Sequence, residues 1–278
     1  MESINLVYLV ENFNWQNIYV SAISAVSNTK HFLNITFFYT NLDNFVIEHF
    51  KKFAEQYANK CKVDFLKTPN RNVLYRNSWI RVLLPELCPD KDRIILFAGD
   101  ANIILDDLWD LYNTDLGDNI VGLIPDIINN SNNSIKRELK IHTIYDFRVI
   151  LLDAKKYREE NIADKFKLYL HNFLTLSINT YSAAMNTVLK NRIKSLSFKY
   201  CFIEPWNTKI YDKTIIKSDD YKCASENPII VYYLGLSPQY SSCLHSMREL
   251  WWEYAKLAPF KIEEMQSYKL SKTSAQNS

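Results

Sequence analysis

Residues that interrupt regular structure are scarce in this chain. Its 278 residues include only four glycines and eight prolines. Hydrophobic residues make up 47% of the sequence and aromatic residues 14%, which is enough apolar material for a large core. The composition therefore excludes extended disorder and predicts a folded globular protein.

Paired cysteines are also absent. The five cysteines are widely scattered, and none belongs to a Cys-x-x-Cys pair of the kind that holds zinc or a redox disulfide. We expect reduced thiols within the core, at Cys61, Cys88, Cys201, Cys223 and Cys243.

No charge of one sign prevails. Lysine and arginine total 33 against 31 aspartates and glutamates. The net charge of +2 gives no general electrostatic reason to expect nucleic acid as a partner.

Long hydrophobic runs are missing as well. No stretch reaches the ~20 apolar residues that a membrane-spanning helix needs. Glu2 and Glu11 flank the first apolar run, where a secretory signal would carry basic residues and a longer apolar stretch. These features predict a cytoplasmic protein that contacts a membrane only peripherally, if at all.

What the sequence does contain is an alternation of strand and helix patterns. Apolar or β-branched runs at 4–10, 34–39 and 63–66 are typical of buried strands, and apolar residues at helical spacing fill 16–26 and 44–60. This order predicts an α/β fold with a mainly parallel sheet flanked by helices. Such sheets bind ligands beyond the carboxyl ends of their strands.

The alternation continues along the chain. A helix is predicted at 79–87 and a strand at 93–97, which places Asp100 just beyond a strand end. The polar stretch 129–136 predicts an exposed mobile loop of the kind that closes over ligands. The remaining predicted elements are a strand at 149–152, helix over most of 154–174, a strand at 228–234 and a C-terminal helix at 244–257.

Three segments carry a resemblance to a known family. The most specific is Asp-Leu-Trp-Asp-Leu-Tyr-Asn-Thr-Asp-Leu-Gly-Asp-Asn at 107–119, and the others lie at 149–158 and 249–256. Together they resemble glycosyltransferase family 8, bacterial retaining enzymes that move a hexose from a nucleotide sugar to a growing saccharide. The resemblance implies a GT-A, Rossmann-like fold over 1–243, followed by a C-terminal helical segment and tail at 244–278.

The resemblance also implies a site for a divalent metal. The family holds Mn²⁺ or Mg²⁺ with an Asp-x-Asp motif and a later histidine, and the metal stabilises the departing diphosphate. Here the motif falls on 98–100, 99–101 or 100–102, so at most one carboxylate is present. Asp100 with the amide oxygen of Asn102 is a candidate metal site. The alternative is that both residues only cap a strand end.

Other residues of the family's chemistry are replaced. In the segment that matches His-x-x-Gly-x-x-Lys-Pro-Trp, Tyr232 replaces the metal-binding histidine and Pro238 replaces the phosphate-neutralising lysine, while Gly235 is kept. The family's Asp-Gln-Asp near the anomeric carbon falls on Tyr-Ser-Ala at 181–183. These degenerate motifs weaken the standard mechanism.

Several positions keep suitable chemistry. Arg81 matches a family arginine that reaches from a helix toward the donor, where a guanidinium binds oxygens in a forked geometry. The alternative is a surface arginine on an amphipathic helix. Asp146 and Arg148 stand at the asparagine and glycine of the family's Phe-Asn-Ala-Gly turn, so Arg148 either supplies the missing positive charge or fills the donor pocket. Asp100, Arg81 and Asp146 are the candidate catalytic residues.

Polar residues follow the first predicted strand. Glu11, Asn12 and Asn14 align with the family residues that recognise uracil and ribose, although polar residues at strand ends are more often turn formers than ligands. The candidate residues for binding a UDP-sugar are then Glu11, Asn12, Asn14, Arg81, Arg148 and Gly235.

The C-terminal segment mixes aromatic and basic residues, such as Trp251, Trp252 and Arg248. This composition is compatible with a lipid headgroup layer, where lipid-linked acceptors reside. The alternative is that the aromatic side chains pack the C-terminal helix onto the core.

Two functions follow from the resemblance and the replaced residues. The first is a hexosyltransferase that uses UDP-glucose or UDP-galactose to extend a surface saccharide or glycolipid, such as lipopolysaccharide core or capsule. The second is a catalytically inactive GT-A domain that serves as a binding or partner subunit. A third hypothesis is recognition of a different donor without metal. No heptad pattern indicates an oligomeric state.

Overall fold

The computed structural model of the protein describes residues 2–68, 77–99, 101–172, 180–205 and 211–266. Within these residues, strands and helices alternate as the sequence predicts. The strands are β1 (Ser3–Val10), β2 (Phe32–Tyr39), β3 (Cys61–Lys67), β4 (Arg93–Phe97), β5 (Asn102–Ile104), β6 (Val121–Pro125), β7 (Tyr145–Asp153), β8 (Ile193–Ser195) and β9 (Ile230–Tyr232). The helices are α1 (Trp15–Asn28), α2 (Asn44–Gln56), α3 (Asn77–Leu87), α4 (Trp109–Tyr112), α5 (Asn133–Leu139), α6 (Ala154–Glu159), α7 (Ile162–Asn172), α8 (Thr180–Val188), α9 (Lys213–Ile216), α10 (Asp219–Glu226) and α11 (Arg248–Ala255).

The described strands form one mixed, mainly parallel sheet and one short antiparallel pair. The order in the large sheet is β3-β2-β1-β4-β7-β6-β8, and β5 pairs with β9. β1 runs parallel to both β2 and β4, whereas β7 runs antiparallel to β4 and β6. β1 has β2 on one side and β4 on the other, and sheets of this kind bind ligands beyond the carboxyl ends of the strands where the order reverses in this way.

Helices cover both faces of the sheet, which explains why β1 is an unbroken apolar run. On one face Leu6 and Tyr8 pack in a core that includes side chains of α1, α2 and α11. On the other face Val7 and Leu9 pack in a second core with side chains of α3, α6, α7 and α8. A strand that is buried on both faces needs apolar residues at successive positions rather than at alternate ones.

The prediction of a mobile loop at 129–136 is wrong about the secondary structure of this stretch. A single 3₁₀ turn (Asn129–Ser131) is followed by α5. Asn132 caps this helix, because its side chain accepts hydrogen bonds from the backbone N–H groups of Ser134 and Ile135, both at 3.1 Å. The asparagines and serines that suggested a loop therefore start a helix.

The boundaries of several other elements differ from the prediction. The helix predicted over 44–60 ends at Gln56, and the helix predicted over 154–174 is divided into α6 and α7 at Asn161, which has a left-handed φ of 51°. The strand predicted at 228–234 is limited to β9, and the C-terminal helix begins at Arg248. The cysteines are free as expected, but Cys223 is exposed and Cys243 is half-buried.

The aromatic residues of the C-terminal segment pack into the core. Trp251 is 0% exposed, and Nε1 of Trp252 donates a hydrogen bond to the Pro238 carbonyl at 3.1 Å. The ring centroid of Phe260 lies 4.9 Å from the centroids of both Trp15 and Tyr19. These contacts correspond to the packing alternative for the segment. None of the helices in the described part of the chain is long and apolar enough to span a bilayer.

Candidate active site

A cavity of about 430 Å³ opens beyond the carboxyl end of β4. Ala98 and Gly99, which directly follow this strand, form part of its wall. Because β7 is antiparallel to β4, its first residues lie beside that end, and the backbone N–H of Ala98 donates to the carbonyl of Arg148 at 2.8 Å. Arg81 on α3 and residues 181–183 on α8 line other parts of the wall. The fold thus brings Arg81, Asp146 and Arg148 to one cavity.

Asp146 and Arg148 form an ion pair in the cavity wall. Oδ1 of Asp146 accepts the backbone N–H of Arg148 at 2.9 Å, and Oδ2 accepts a hydrogen bond from Nη1 of Arg148. The Asp146 side chain is 5% exposed and that of Arg148 is 26% exposed. Burial raises the pKa of the Asp146 carboxyl, and the Arg148 guanidinium offsets part of the rise. Burial acts to lower the pKa of Arg148, but the charge of Asp146 keeps it above its usual value, so Arg148 stays cationic.

Arg148 also lies over an aromatic ring. Its Cζ is 5.0 Å from the ring centroid of Tyr232, which ends β9. The ring of Tyr232 in turn covers Gly99, because a Cβ added to Gly99 would lie 2.1 Å from Cε2 of Tyr232. We call Gly99, Tyr232, Arg148 and Asp146 the arginine stack. Each member of the arginine stack contacts the next.

Arg81 presents a second guanidinium to the cavity. Its Cζ lies 5.9 Å from the ring centroid of Tyr181. Burial raises the pKa of Tyr181 to about 12, so the ring is neutral and offers its π face to the cation. Nε of Arg81 is buried and has no hydrogen-bond acceptor among the described residues. An anionic oxygen in the cavity would satisfy such a donor.

The glycosyl transferase family 8 model matches residues 5–237. The chain belongs to this family. The match confirms the resemblance drawn from 107–119, and the mixed, mainly parallel sheet flanked by helices confirms the predicted GT-A fold.

Similar proteins agree with the family assignment. A putative glycosyltransferase of Haemophilus influenzae is 20% identical over 248 residues, which cover 84% of this chain and 72% of that protein. The galactosyltransferase LgtC, solved with donor and acceptor sugar analogues, superposes with a TM-score of 0.78 at 16% identity, over 94% of this chain and 98% of LgtC. The bifunctional glycosyltransferase WbbM gives a TM-score of 0.78 at 12% identity over 92% of this chain, which spans only 50% of WbbM. At these identities the superpositions establish the fold.

Family 8 enzymes use nucleotide-sugar donors and often a divalent metal, so the predicted metal ligands are of interest. Asp100 lies outside the described residues. Asn102 is 1% exposed, and its Oδ1 accepts a hydrogen bond at 2.6 Å from Oγ of Ser21, which also contacts Tyr8. Tyr232, at the position of the family histidine, lies between Gly99 and Arg148. Across the described ranges no three His, Cys, Asp or Glu side chains cluster as metal ligands.

These positions do not fit a metal site of the family 8 type. The amide oxygen of Asn102 is already engaged by a buried hydroxyl, and a phenol ring stands where an imidazole nitrogen would bind the ion. The assignment of Asp100 as a metal ligand stays a prediction.

The polar residues after β1 form a turn. Asn14 is buried, and its Oδ1 accepts the backbone N–H of Glu11 at 2.8 Å. Oδ1 of Asn12 accepts the backbone N–H of Asp43 at 3.0 Å. The described wall of the cavity includes none of Glu11, Asn12 and Asn14. These contacts are those of turn formers, and uracil recognition by the three residues stays a prediction.

Gly235 is separate from the candidate active site. It has a φ of 95° and lines a second cavity of about 350 Å³ together with Glu204 and His245. Its assignment to nucleotide-sugar binding also stays a prediction.

Sequence reasoning missed two polar residues of the cavity wall. Asp126 directly follows β6, and its Oδ1 accepts the backbone N–H groups of Ile128 and Asn129 at 2.8 and 2.9 Å. Oδ1 of Asn186 accepts the backbone N–H of Tyr145 at 2.9 Å. An acidic residue after an apolar run is the signal that singled out Asp100, and it also applied to Asp126. Asn186 lies inside a helix and had no comparable signal.

Proposed function

We propose that this chain transfers a hexose from a nucleotide sugar, with UDP-glucose or UDP-galactose as the donor, and that the sugar diphosphate binds in the cavity lined by Arg81 and Arg148. The supporting observation is the presence of two guanidinium groups on the wall of one cavity. This cavity lies at the carboxyl end of β4, where sheets of this kind bind ligands.

The two arginines suit a diphosphate in different ways. Nε of Arg81 has no acceptor among the described residues, so a phosphate or sugar oxygen would complete its hydrogen bonding. Arg148 is held in place by Asp146 and Tyr232 before any ligand binds, which reduces the entropy that binding would cost. We assign Arg81 to donor binding and Asp146 to the positioning of Arg148. Asp100 adjoins Gly99 in the chain and stays a candidate catalytic residue.

We further propose that the acceptor is a surface saccharide or glycolipid of a bacterium, such as lipopolysaccharide core or capsule. The support is family membership, since family 8 implies a saccharide acceptor. Such an acceptor would be met in the cytoplasm or at the inner face of the membrane, where peripheral contact of the C-terminal segment would help to reach it.

Calorimetry with UDP, UDP-glucose and UDP-galactose tests the donor site. We expect Arg81→Met to weaken binding roughly 10- to 150-fold, because a hydrogen bond to a charged group contributes about 1.5–3 kcal/mol. Arg137→Met is the matched control, since Arg137 is an exposed residue of α5 outside the cavity wall. Absence of binding by the unmodified chain to all three compounds would contradict the proposal.

A catalytically inactive domain is the second candidate. It is favoured by Tyr181, Ser182 and Ala183, which line the cavity without a carboxylate at the positions of the family's Asp-Gln-Asp. Incubation with each donor, followed by measurement of free UDP and of transfer to core or capsule saccharides, separates the two functions. Turnover supports the transferase. Binding of UDP with no hydrolysis and no transfer supports the inactive domain.

A further inference from the structure

The arginine stack indicates which cation meets the diphosphate. We propose that Arg148 takes the place of the divalent metal, so that this chain binds a nucleoside diphosphate without a metal ion. The inference rests on the proposed function, because it concerns the same cavity and the same donor.

The described positions that would hold a metal are already engaged in other contacts. Asn102 hydrogen-bonds to Ser21 in the core. The phenol of Tyr232 lies on Gly99, and its ring faces Arg148 at 5.0 Å from Cζ. The cation that contacts Tyr232 is therefore the guanidinium of Arg148, not a metal ion.

Arg148 is a fixed cation with hydrogen-bond donors that remain available. Within the described residues its only hydrogen-bonding side-chain nitrogen is Nη1, which donates to Asp146. A guanidinium carries five N–H donors in a planar fork that matches phosphate oxygens. Asp146 and Tyr232 hold the group from two sides, so the remaining donors need no rearrangement to meet a phosphate.

Positive and negative side chains are equal in number in the described wall of the cavity. Arg81 and Arg148 together carry two positive charges, and Asp126 and Asp146 carry two negative ones. Arg81 has a counterpart in the family beside the metal, so Arg148 is the positive charge that this chain adds. The described wall thus offers a diphosphate two positive charges that are built into the chain.

The volumes of the side chains beside the end of β4 also differ from those of the family motif. An arginine and a tyrosine at the positions of the family's glycine and histidine add bulk beside the end of β4. Gly99 makes room for that bulk, because a Cβ there would lie 2.1 Å from Cε2 of Tyr232. Tyr232 and Gly99 are therefore complementary in shape.

Calorimetric titration of UDP into the full chain, first in EDTA and then in Mn²⁺, tests the inference. We expect the same affinity in both buffers. Arg148→Met should lower it roughly 10- to 150-fold in either buffer. Arg148→Lys should recover part of the loss, because lysine keeps the charge but not the fork. Arg137→Met, which changes the net charge equally away from the cavity wall, should bind as the unmodified chain does.

Loss of the arginine alone would leave Asp146 as an unpaired buried charge and could unfold the chain. The double variant Asp146→Asn with Arg148→Met removes both charges and serves as the second test, with its fold checked by circular dichroism. UDP binding that requires Mn²⁺, or full affinity in the folded double variant, would overturn the inference and leave the proposed function intact. No UDP binding in either buffer would overturn the proposed function, and the inference with it.

Discussion

At the scale of single residues, Gly99 determines how closely Tyr232 can approach the end of β4. The ring lies where a side chain of residue 99 would begin, and Cζ of Arg148 lies 5.0 Å from the centroid of that ring. A residue with no side chain therefore influences the electrostatics of the candidate site.

We predict that Gly99→Ala destabilises the chain by about 1–3 kcal/mol, because the new Cβ forces the Tyr232 ring to move in a packed environment. UDP binding should weaken as well, since Arg148 loses the face on which it lies. Urea unfolding and calorimetry measure the two effects. Gly117→Ala is the control: the added Cβ meets no atom within 4 Å and the φ is 54°, so we expect only a backbone cost of about 1 kcal/mol and unchanged UDP binding.

A double variant identifies the cause of the Gly99→Ala effect. If the steric contact is responsible, adding Tyr232→Ala removes the clash, and the double variant is more stable than the sum of the single effects implies. Strict additivity would show that the contact between Gly99 and Tyr232 is not the source of the loss.

The candidate site could be predicted from the sequence only in part. Alignment to the family singled out Arg81, Asp146 and Arg148, and the three line one cavity. Asn102 was nominated because one alignment of the Asp-x-Asp motif falls on 100–102, but its side chain pairs with Ser21, which lies 81 positions earlier in the chain. A motif gives the residue type and its place on a strand, whereas the partner of a buried amide depends on packing between distant segments.

At the scale of elements, the apolar runs were sufficient to predict the core strands. β1 and β2 differ from the predicted 4–10 and 34–39 by one or two residues, because strands buried on both faces carry a signal at every position. The polar stretch 129–136 was wrongly predicted as a loop, because asparagine and serine favour both loops and helix N-caps. The choice depends on whether the following residues find an apolar surface, and Ile135 and Leu139 of α5 do so beside Ile144 and Ala183.

We predict that Asn132→Ala loosens α5 without unfolding the rest of the chain. Loss of this N-cap costs about 1 kcal/mol, which corresponds to roughly fivefold faster amide exchange in the helix. Hydrogen exchange read by mass spectrometry measures the change. Asn133→Ala is the control, because Asn132 and not Asn133 provides the side-chain cap. Uniform acceleration across all peptides of Asn132→Ala would contradict a local role.

The same measurement connects α5 to the cavity. Ile135 and Leu139 line the cavity wall, so UDP bound there should slow exchange in α5 and partly reverse the effect of Asn132→Ala. Unchanged exchange in α5 at saturating UDP would place the nucleotide elsewhere.

At the scale of the whole molecule, the helix of the segment that was predicted to follow 1–243 packs against the rest of the described chain. α11 packs against α1, and Trp251 and Ala255 belong to the same core as Leu6 and Tyr8 of β1. A separate segment was predicted because the family resemblance implied a GT-A fold over 1–243 followed by a helical segment. The burial of Trp251 by residues that are distant in the chain cannot be recognised from the local sequence.

This packing predicts that the C-terminal segment unfolds together with the sheet. Trp251→Ala should lower the free energy of unfolding of the whole chain by about 3–5 kcal/mol, because a fully buried indole is replaced by a cavity. Urea unfolding should still show one transition, at a lower midpoint, by both circular dichroism and fluorescence. Leu244→Ala is the control, since Leu244 is 83% exposed and its loss should change stability by no more than about 0.5 kcal/mol. Two separate transitions, with the main one at its original midpoint, would instead show that α11 is an independent unit and that its contacts with α1 contribute little to the stability of the glycosyltransferase fold.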